Sequence, residues 1–198
     1  MKLLSKQTFV FALLTLFIVS CSKDKSTPSI SALNTEVATL KLVDDTFKTP
    51  TKEQVNNVEG TCTACEMLYY KDAKKVGEWD SFAKNFTDVD KANKYKITDS
   101  KFIVTKTITE DNILKEEYAY SLKDNGSLVI DGVEYIAKIK DNKLLLFFDV
   151  TTMQKASDIF LVTLDNAYGK SLEKEGKVKG YGKIEFTIAK IVAASSEQ

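Results

Sequence analysis

The sequence predicts a mainly β protein, an antiparallel up-and-down meander of about eight to ten strands that closes into a barrel, with one inserted amphipathic helix and a short N-terminal helix. Two observations carry this prediction. From residue 94 onward apolar and polar residues alternate with a period of two, and short sequences rich in Asp, Asn and Gly separate the alternating segments. Closure removes the open edges of a long meander. An open sheet or sandwich with the helix packed on one face is the alternative.

The alternation is clearest in three segments, 101–108, 113–122 and 132–140. In the first segment Lys106 interrupts an otherwise apolar face. Apolar residues on one face and polar residues on the other are typical of an antiparallel sheet with one solvent-exposed face. These segments therefore predict neighbouring strands of the barrel wall.

Later strands are expected from other signals. Asp131 and Gly132 predict a two-residue hairpin, because both central residues of such a turn need positive φ. The runs 143–150 and 158–164 are apolar on both faces, which predicts central strands covered on both sides. The last strand is expected over 181–192, where apolar residues again alternate with polar ones.

Two short helices are expected before the barrel. Apolar residues at helical spacing indicate an amphipathic helix over 30–42, although the stretch ATLKLV within it could equally be a strand. Thr51 and Gln54 fit a capping box, which predicts one or two helical turns over 52–57.

A clearer helix signal lies between the first strand and the meander. The segment 79–91 carries an apolar stripe on one helical face, formed by Trp79, Phe82, Phe86 and Val89. Asp80 is placed to cap its first turn. Such a stripe is typical of a helix packed on a core, and the alternative is a lid over a cavity mouth.

The N-terminus predicts export and anchoring. Residues 1–20 combine a lysine-bearing start with the apolar run FVFALLTLFIVS, which is typical of a secretory signal and too short for a membrane span. The stretch IVSC, which ends at Cys21, resembles the bacterial lipobox. That resemblance implies that Cys21 is lipidated and attaches the protein to a membrane. A plain signal peptide that leaves Cys21 as an odd thiol is the alternative.

These features divide the chain into three parts. Residues 1–20 are the expected lipoprotein signal peptide, residues 21–32 the lipid anchor and polar tether, and residues 33–198 a single β-barrel domain. We therefore expect a lipid-anchored protein of a bacterial cell envelope. Ser22 favours the outer membrane, because the retention Asp known from some inner-membrane lipoproteins is absent.

The order of these elements resembles a known group of barrels. An extended stretch TCTACEMLYY, a helix over 79–91 and then a meander are similar to the calycins, which include lipocalins and fatty-acid-binding proteins, and to small lipocalin-like lipoproteins of bacterial envelopes. The resemblance covers roughly residues 58–192. It implies a lipocalin-like barrel that encloses a ligand.

Cys62 and Cys65 form a C-x-x-C pair that is compatible with several roles. A disulfide between residues three apart on a strand needs a turn or bulge at Thr63-Ala64, because fully extended Cα atoms lie about 10 Å apart. An oxidising compartment favours the bond. The alternatives are free buried thiols, or a soft-metal or redox site in which Met67 could join two thiolates on Cu(I). Two cysteines without His cannot close a zinc site. The leading expectation is that no metal or other cofactor is bound, and the soft-metal site stays an alternative.

The stretch GTCTACE (60–66) is also similar to the first strand of copper-responsive envelope lipoproteins of the NlpE type. Those proteins carry a paired-cysteine motif in a lipocalin-like barrel. The resemblance implies that Cys62 and Cys65 are the matching pair.

Composition excludes several classes of function. The 28 basic and 28 acidic residues balance, so no basic footprint for nucleic acid is present. The chain contains no His and no Arg, which removes Ser-His and Cys-His catalysis and bidentate phosphate recognition. We therefore expect a protein that is not an enzyme, although catalysis by a carboxylate pair or by lysine stays open.

Six aromatic residues are candidates for lining a ligand cavity, and ordinary packing of the barrel is the alternative role: Trp79, Phe82, Phe86, Tyr118, Tyr120 and Tyr135. The leading hypothesis is a binding module that holds a small apolar ligand in its interior. The alternatives are a protein-binding module with a filled core, recognisable by a solid interior and an exposed apolar patch, and a copper or redox stress sensor that uses Cys62 and Cys65.

Overall fold

The structure is a computed structural model that describes residues 30–190. Nine strands form its sheet: β1 (Val58–Lys71), β2 (Lys74–Asp80), β3 (Lys94–Ile97), β4 (Lys101–Thr109), β5 (Asn112–Leu122), β6 (Ser127–Ile130), β7 (Val133–Lys140), β8 (Lys143–Asp149) and β9 (Lys179–Lys190). Six α-helices accompany them: α1 (Ile30–Thr39), α2 (Lys52–Val55), α3 (Ser81–Lys84), α4 (Asp88–Lys91), α5 (Met153–Phe160) and α6 (Ala167–Leu172). The mainly β prediction is confirmed.

Eight of the strands close into an antiparallel barrel. Each strand from β3 to β9 pairs with its neighbour in the chain, β1 pairs with β3, and β9 returns to pair with β1. The up-and-down barrel expected from the sequence is therefore confirmed. β2 is an additional strand that forms a hairpin with the second half of β1.

β1 is the strand on which the barrel closes. Its pairing with β9 runs from Val58 opposite Lys190 to Tyr70 opposite Lys179. A bulge interrupts this register between Cys62 and Ala64. On its other edge, β1 pairs first with β3 and then with β2, and neither strand pairs with the bulged stretch between them.

The two ends of the barrel differ. At one end, here called the turn end, short turns join β3 to β4, β5 to β6 and β7 to β8. At the other, the helical end, α3 and α4 lead into β3, and α5 and α6 connect β8 to β9. The hairpin at Asp131 and Gly132 also lies at the helical end, and its φ angles of 48° and 74° confirm the predicted turn.

α1 covers the outside of the barrel wall. It confirms the helix expected over 30–42, and it packs on β7, β8 and β9 through a separate cluster of buried residues: Leu33, Val37, Ile136, Leu145, Phe147 and Tyr181. This contact explains why β8 is apolar on both faces, since one face lines the core and the other meets α1. Before β1, the N–H of Thr51 donates to Gln54 Oε1 at 2.8 Å, so the expected capping interaction at α2 is present.

The segment 79–91 is not one helix. Trp79 lies in β2, and two single-turn helices follow, α3 and α4. Asp80 caps the first of them as expected, because its carboxylate accepts a hydrogen bond from the N–H of Ala83 at 2.9 Å. Thr87 starts the second helix with its own cap, in which its hydroxyl accepts from the N–H of Asp90 at 3.2 Å. A second N-cap inside the apolar stripe divides the helix in two.

The strand expected over 158–164 is wrong. Residues 158–160 complete α5, and Leu161 follows in the left-handed region with φ 53°. This run is apolar because the end of α5 and the turn after it bury four side chains at the helical end of the barrel: Ile159, Phe160, Val162 and Leu164. A short run of buried residues at the end of a helix and a central strand can have the same apolar sequence.

Several predictions fall outside the described residues. The signal peptide over 1–20, Cys21, most of the tether and residues 191–192 of the last strand are among them. Between residues 30 and 190, no helix is long and apolar enough to cross a membrane.

Candidate functional site

The barrel interior is occupied by side chains. Phe160, at the end of α5, is 1 % exposed and lies among aromatic rings of the barrel wall. Its ring centroid is 5.6 Å from those of Phe102 and Tyr135 and 5.8 Å from that of Phe186. The side chain of Phe160 therefore fills the interior at the helical end of the barrel.

The void toward the turn end is small. It has a volume of about 10 Å³ and is bounded by apolar residues of the wall, among them Val58, Leu144 and Ile188. Ligand pockets usually measure about 300–1,000 Å³. This part of the interior is therefore a packed core with no space for a small apolar ligand.

The six aromatic candidates all contact one core cluster. Phe86, Tyr120 and Tyr135 are buried within it, and Trp79, Phe82 and Tyr118 are partly buried against it. The structure thus brings the six residues together, and they pack against other core side chains.

Trp79 packs at the outer margin of this core. Its indole ring stacks on Tyr168 of α6 at a centroid distance of 5.6 Å, and its Nε1–H donates to Asn85 Oδ1 at 2.8 Å. Lys84 Nζ lies 4.0 Å from the ring centroid on a cation–π contact. These contacts fix Trp79 between β2, α3 and α6.

A polar network holds Phe160 and the turn after it in place, and only one of its residues stands out in the sequence. Lys106, the lysine that interrupts an apolar face, donates to Asp90 Oδ1 at 2.5 Å and to the carbonyl of Leu161 at 3.0 Å. Burial would raise the pKa of Asp90, but hydrogen bonds from Lys106 and Thr87 outweigh burial and lower that pKa. The ion pair therefore ties α4 and β4 to the turn after α5.

Two further side chains bind the same turn. Tyr95 donates its hydroxyl hydrogen to the carbonyl of Phe160 at 3.1 Å. Asn93, which is fully buried, directs its Nδ2 group at the carbonyls of Phe160 and Leu161, both at 3.4 Å. The left-handed turn at Leu161 is thus stabilised by hydrogen bonds from three side chains, those of Tyr95 on β3, Lys106 on β4 and Asn93 just before β3.

Cys62 and Cys65 both face the core. Residues three apart on a regular strand face opposite sides, and the bulge at Thr63 turns both thiols inward. Both cysteines are free and are not at disulfide distance, so the expected disulfide is not found. Cys62 Sγ instead donates to the carbonyl of Ala64 at 3.4 Å.

The environment of the two cysteines keeps them as thiols. Burial raises the pKa of Cys62 to about 12 and raises that of Cys65 well above its ordinary value. Thiolates are the form that binds metals and reacts. Within residues 30–190, no group of three or more His, Cys, Asp or Glu side chains could hold a metal ion.

A surface feature lies at the helical end, where the β4–β5 hairpin projects beyond its neighbours. β3 pairs with β4 only as far as Thr105, and β6 pairs with β5 only from Tyr120 onward. The projecting part carries three exposed apolar side chains: Ile108 at 46 %, Ile113 at 58 % and Leu114 at 38 % exposure. This cluster is here called the hairpin tip.

The projecting part of β5 has an open backbone edge. The N–H of Tyr120 donates to Ser100 on the β4 side, and the carbonyl of Ala119 accepts from Asp131 on the β6 side. Backbone groups alternate along a strand, so odd-numbered residues of β5 direct theirs away from β4. Beyond the end of β6, the odd-numbered positions of this open edge are Ile113, Lys115 and Glu117.

Fold and site together define the class of protein: a closed eight-stranded antiparallel barrel with a filled interior and a projecting hairpin. Comparison with known proteins places it no further, since no family model, curated protein or solved structure matches the chain. Its assignment to a family of lipoproteins or calycins stays a prediction.

Proposed function

We propose that this protein is a non-catalytic protein-binding module of a bacterial cell envelope, held at a membrane by lipidated Cys21, and that it binds an extended segment of an envelope protein along the open edge of β5. The projecting hairpin is the observation that carries the proposal. The filled interior supports it as well, because recognition then has to use the outer surface.

The backbone chemistry of the edge favours a strand as the partner. Each free N–H and C=O group of Ile113, Lys115 and Glu117 is a strong hydrogen-bonding group. A partner in extended conformation satisfies these groups in a regular ladder and adds a strand to the sheet. A helix or a small ligand satisfies few of them, since their groups do not repeat at the strand spacing.

The side chains define what such a strand would carry. Ile113 is the most exposed of the hairpin-tip residues, and an apolar partner residue opposite it would bury both surfaces. Further along the edge, Lys101 and Lys115 donate to Glu117 at 2.6 Å and 2.7 Å and lower the pKa of Glu117 to about 2. The partner strand is therefore expected to be apolar opposite Ile113 and polar toward Glu117.

The tether fits a role at a membrane surface. The residues between Cys21 and Ile30 are almost all polar or charged, and a polar linker lets an anchored domain reach a neighbouring protein. Several acyl chains on one cysteine provide a stable anchor.

The test is a photocrosslinking experiment in the envelope of the bacterium that produces the protein. A photoreactive amino acid is placed at Ile113 or, as a positional control, at exposed Lys174. Each version is combined with Lys115→Pro or Lys115→Ala. Proline removes the outward N–H of residue 115 and blocks strand addition, whereas alanine keeps that N–H.

The expected result is a discrete crosslinked protein from position 113 that persists with Lys115→Ala and disappears with Lys115→Pro. Lysine 174 should give no such product. The proposal is refuted if the product survives Lys115→Pro, if both positions give the same product, or if position 113 gives none. Circular dichroism of each variant establishes that the barrel is intact.

A further inference from the structure

We propose that the strand bound along the open edge of β5 is basic, a segment in which lysine or arginine alternates with apolar or small polar residues. This inference rests on the proposed strand addition and names the chemical class of the partner. It comes from carboxylates along the edge that have no cationic partner among residues 30–190. They are Glu110 and Asp111 in the hairpin turn, Glu116 on β5, Asp131 beside β5 and Asp158 on α5.

Three of these acidic residues lie where the open edge meets the barrel wall. The N–H of Asp131 donates to the carbonyl of Ala119 at 3.0 Å, which places Asp131 at the point where the open edge ends. The carbonyl of Asp158 accepts from the hydroxyl of Tyr118 at 3.2 Å, which brings the end of α5 against the same part of β5. Glu116 precedes Tyr118 by two residues and therefore shares its face of the strand.

The hydroxyl of Tyr118 lies in a negative electrostatic field. Burial raises the pKa of this hydroxyl, and three nearby carboxylates raise it further. They belong to Glu116, Asp131 and Asp158. Carboxylates that all act on one group lower the energy of a cation placed among them.

The lysines near the edge leave most of this charge uncompensated. Lys101 and Lys115 both form ion pairs with Glu117, at 2.6 Å and 2.7 Å. Lys155 of α5 adds one positive charge and forms no ion pair with any residue that the structure describes. The edge therefore keeps an excess of negative charge, which a cationic strand would complement.

The strand geometry specifies where the partner would carry its cations. Glu116 and Tyr118 are half-buried and Tyr120 is buried, so the even-numbered face of β5 continues into the core and the odd-numbered residues face outward. In a paired strand, every second side chain of the partner lies on the face of Glu116 and Tyr118. A lysine or arginine there would meet the Glu116 carboxylate, and its methylene stem would pack along Tyr118. An acidic residue at the same position would be repelled.

The experiment measures the binding of synthetic peptides to the full-length protein in nonionic detergent micelles by ligand-observed saturation-transfer NMR. The basic peptide is acetyl-TKVKVKT-amide, and in two matched peptides glutamate or glutamine replaces every lysine. A fourth peptide has the basic sequence with a methyl group on every backbone amide nitrogen. It keeps the positive charge but has no N–H groups with which to add a strand.

Two variants each remove one carboxylate at the edge, Glu116→Gln and Asp131→Asn. Asp141→Asn is the matched control, because Asp131 and Asp141 both lie in hairpin turns with positive φ, 48° and 53°, and Asp141 lies at the turn end of the barrel. Asparagine tolerates the left-handed conformation at both positions. Circular dichroism of each variant establishes that the barrel is intact.

The basic peptide should bind saturably and about tenfold more tightly than the glutamate peptide, with the glutamine peptide between them. Methylation of its backbone should weaken binding about tenfold, since the ladder of hydrogen bonds is lost. Glu116→Gln and Asp131→Asn should each weaken the basic peptide about two- to fivefold and leave the glutamine peptide unchanged. Asp141→Asn should change neither.

Two kinds of failure are distinguishable. If the three unmethylated peptides bind equally and methylation abolishes binding, strand addition stands and the basic class of the partner is wrong. If the methylated peptide binds as well as the basic peptide, or if no peptide binds saturably, strand addition fails and this inference fails with it. Equal effects of Asp141→Asn and Asp131→Asn also overturn the inference, because the preference would then follow from net charge alone.

Discussion

Replacing Phe160 by alanine tests directly whether the barrel interior is filled. Full burial of a phenylalanine side chain stabilises a fold by about 1.5–3 kcal/mol, and the cavity left by truncation adds to the loss. Four aromatic rings surround Phe160, the most distant of them with its centroid at 5.9 Å. We therefore expect Phe160→Ala to lower the free energy of unfolding by about 4 kcal/mol, within the range measured for such truncations.

Urea denaturation followed by the fluorescence of Trp79, the single tryptophan, measures this loss. With a urea dependence of about 2 kcal/mol per molar, the midpoint should fall by about 2 M. Phe160→Leu, which keeps most of the volume, should cost less than about 2 kcal/mol. An apolar cavity binds benzene, so benzene should raise the melting temperature of the alanine variant alone.

A decrease in the free energy of unfolding of less than about 1.5 kcal/mol for Phe160→Ala would contradict the conclusion that this side chain fills the barrel interior. Stabilisation of the unaltered protein by benzene would show that the interior already contains a cavity. That result would support the hypothesis that the barrel holds a small apolar ligand in its interior.

Three further predictions concern other buried groups. Because folding lowers the pKa of Asp90, its carboxylate adds to the free energy of unfolding above the ordinary Asp pKa near 3.8, and this contribution is lost as the pH falls through the lower folded-state pKa. The free energy of unfolding, measured in an acid titration, should therefore fall less steeply with decreasing pH in Asp90→Asn than in the unaltered protein. Cys62 and Cys65, whose pKa values are raised, should react with iodoacetamide at pH 8 much more slowly in the folded protein than in urea. Mass spectrometry measures both rates, and equal rates would contradict the burial of the two thiols. Gly182→Ala should destabilise the fold by about 1–3 kcal/mol in thermal melts, because the added carbon would lie 2.0 Å from the Phe148 ring; an unchanged melting temperature would contradict this packing.

The barrel wall could be predicted from the sequence because each strand of the meander has two different faces. Alternation between apolar and polar residues fixes which residues face the core, and the Asp131-Gly132 turn fixes the register of one hairpin. The run 158–164 could not be assigned in this way. A strand covered on both sides and a helix end followed by a buried turn both give a short apolar run, so the sequence does not separate them.

The site was predictable only in part. Lys106 was visible as an interruption of an apolar face, but its partner Asp90 lies on a separate helix, and no local spacing connects the two residues. The projection of the hairpin depends on where β3 and β6 stop pairing with β4 and β5. That is a property of the whole barrel and not of the hairpin sequence.

The strands that close the cylinder, β1 and β9, are the first and the last strands of the described chain. A growing polypeptide cannot complete the cylinder until β9 has been synthesised, and contacts between segments so distant in sequence form slowly. Until then β1 and β8 each lack one of their eventual neighbours, and exposed strands of this kind join to other chains. A polypeptide that stops before Lys179 is therefore expected to remain an open sheet and to aggregate.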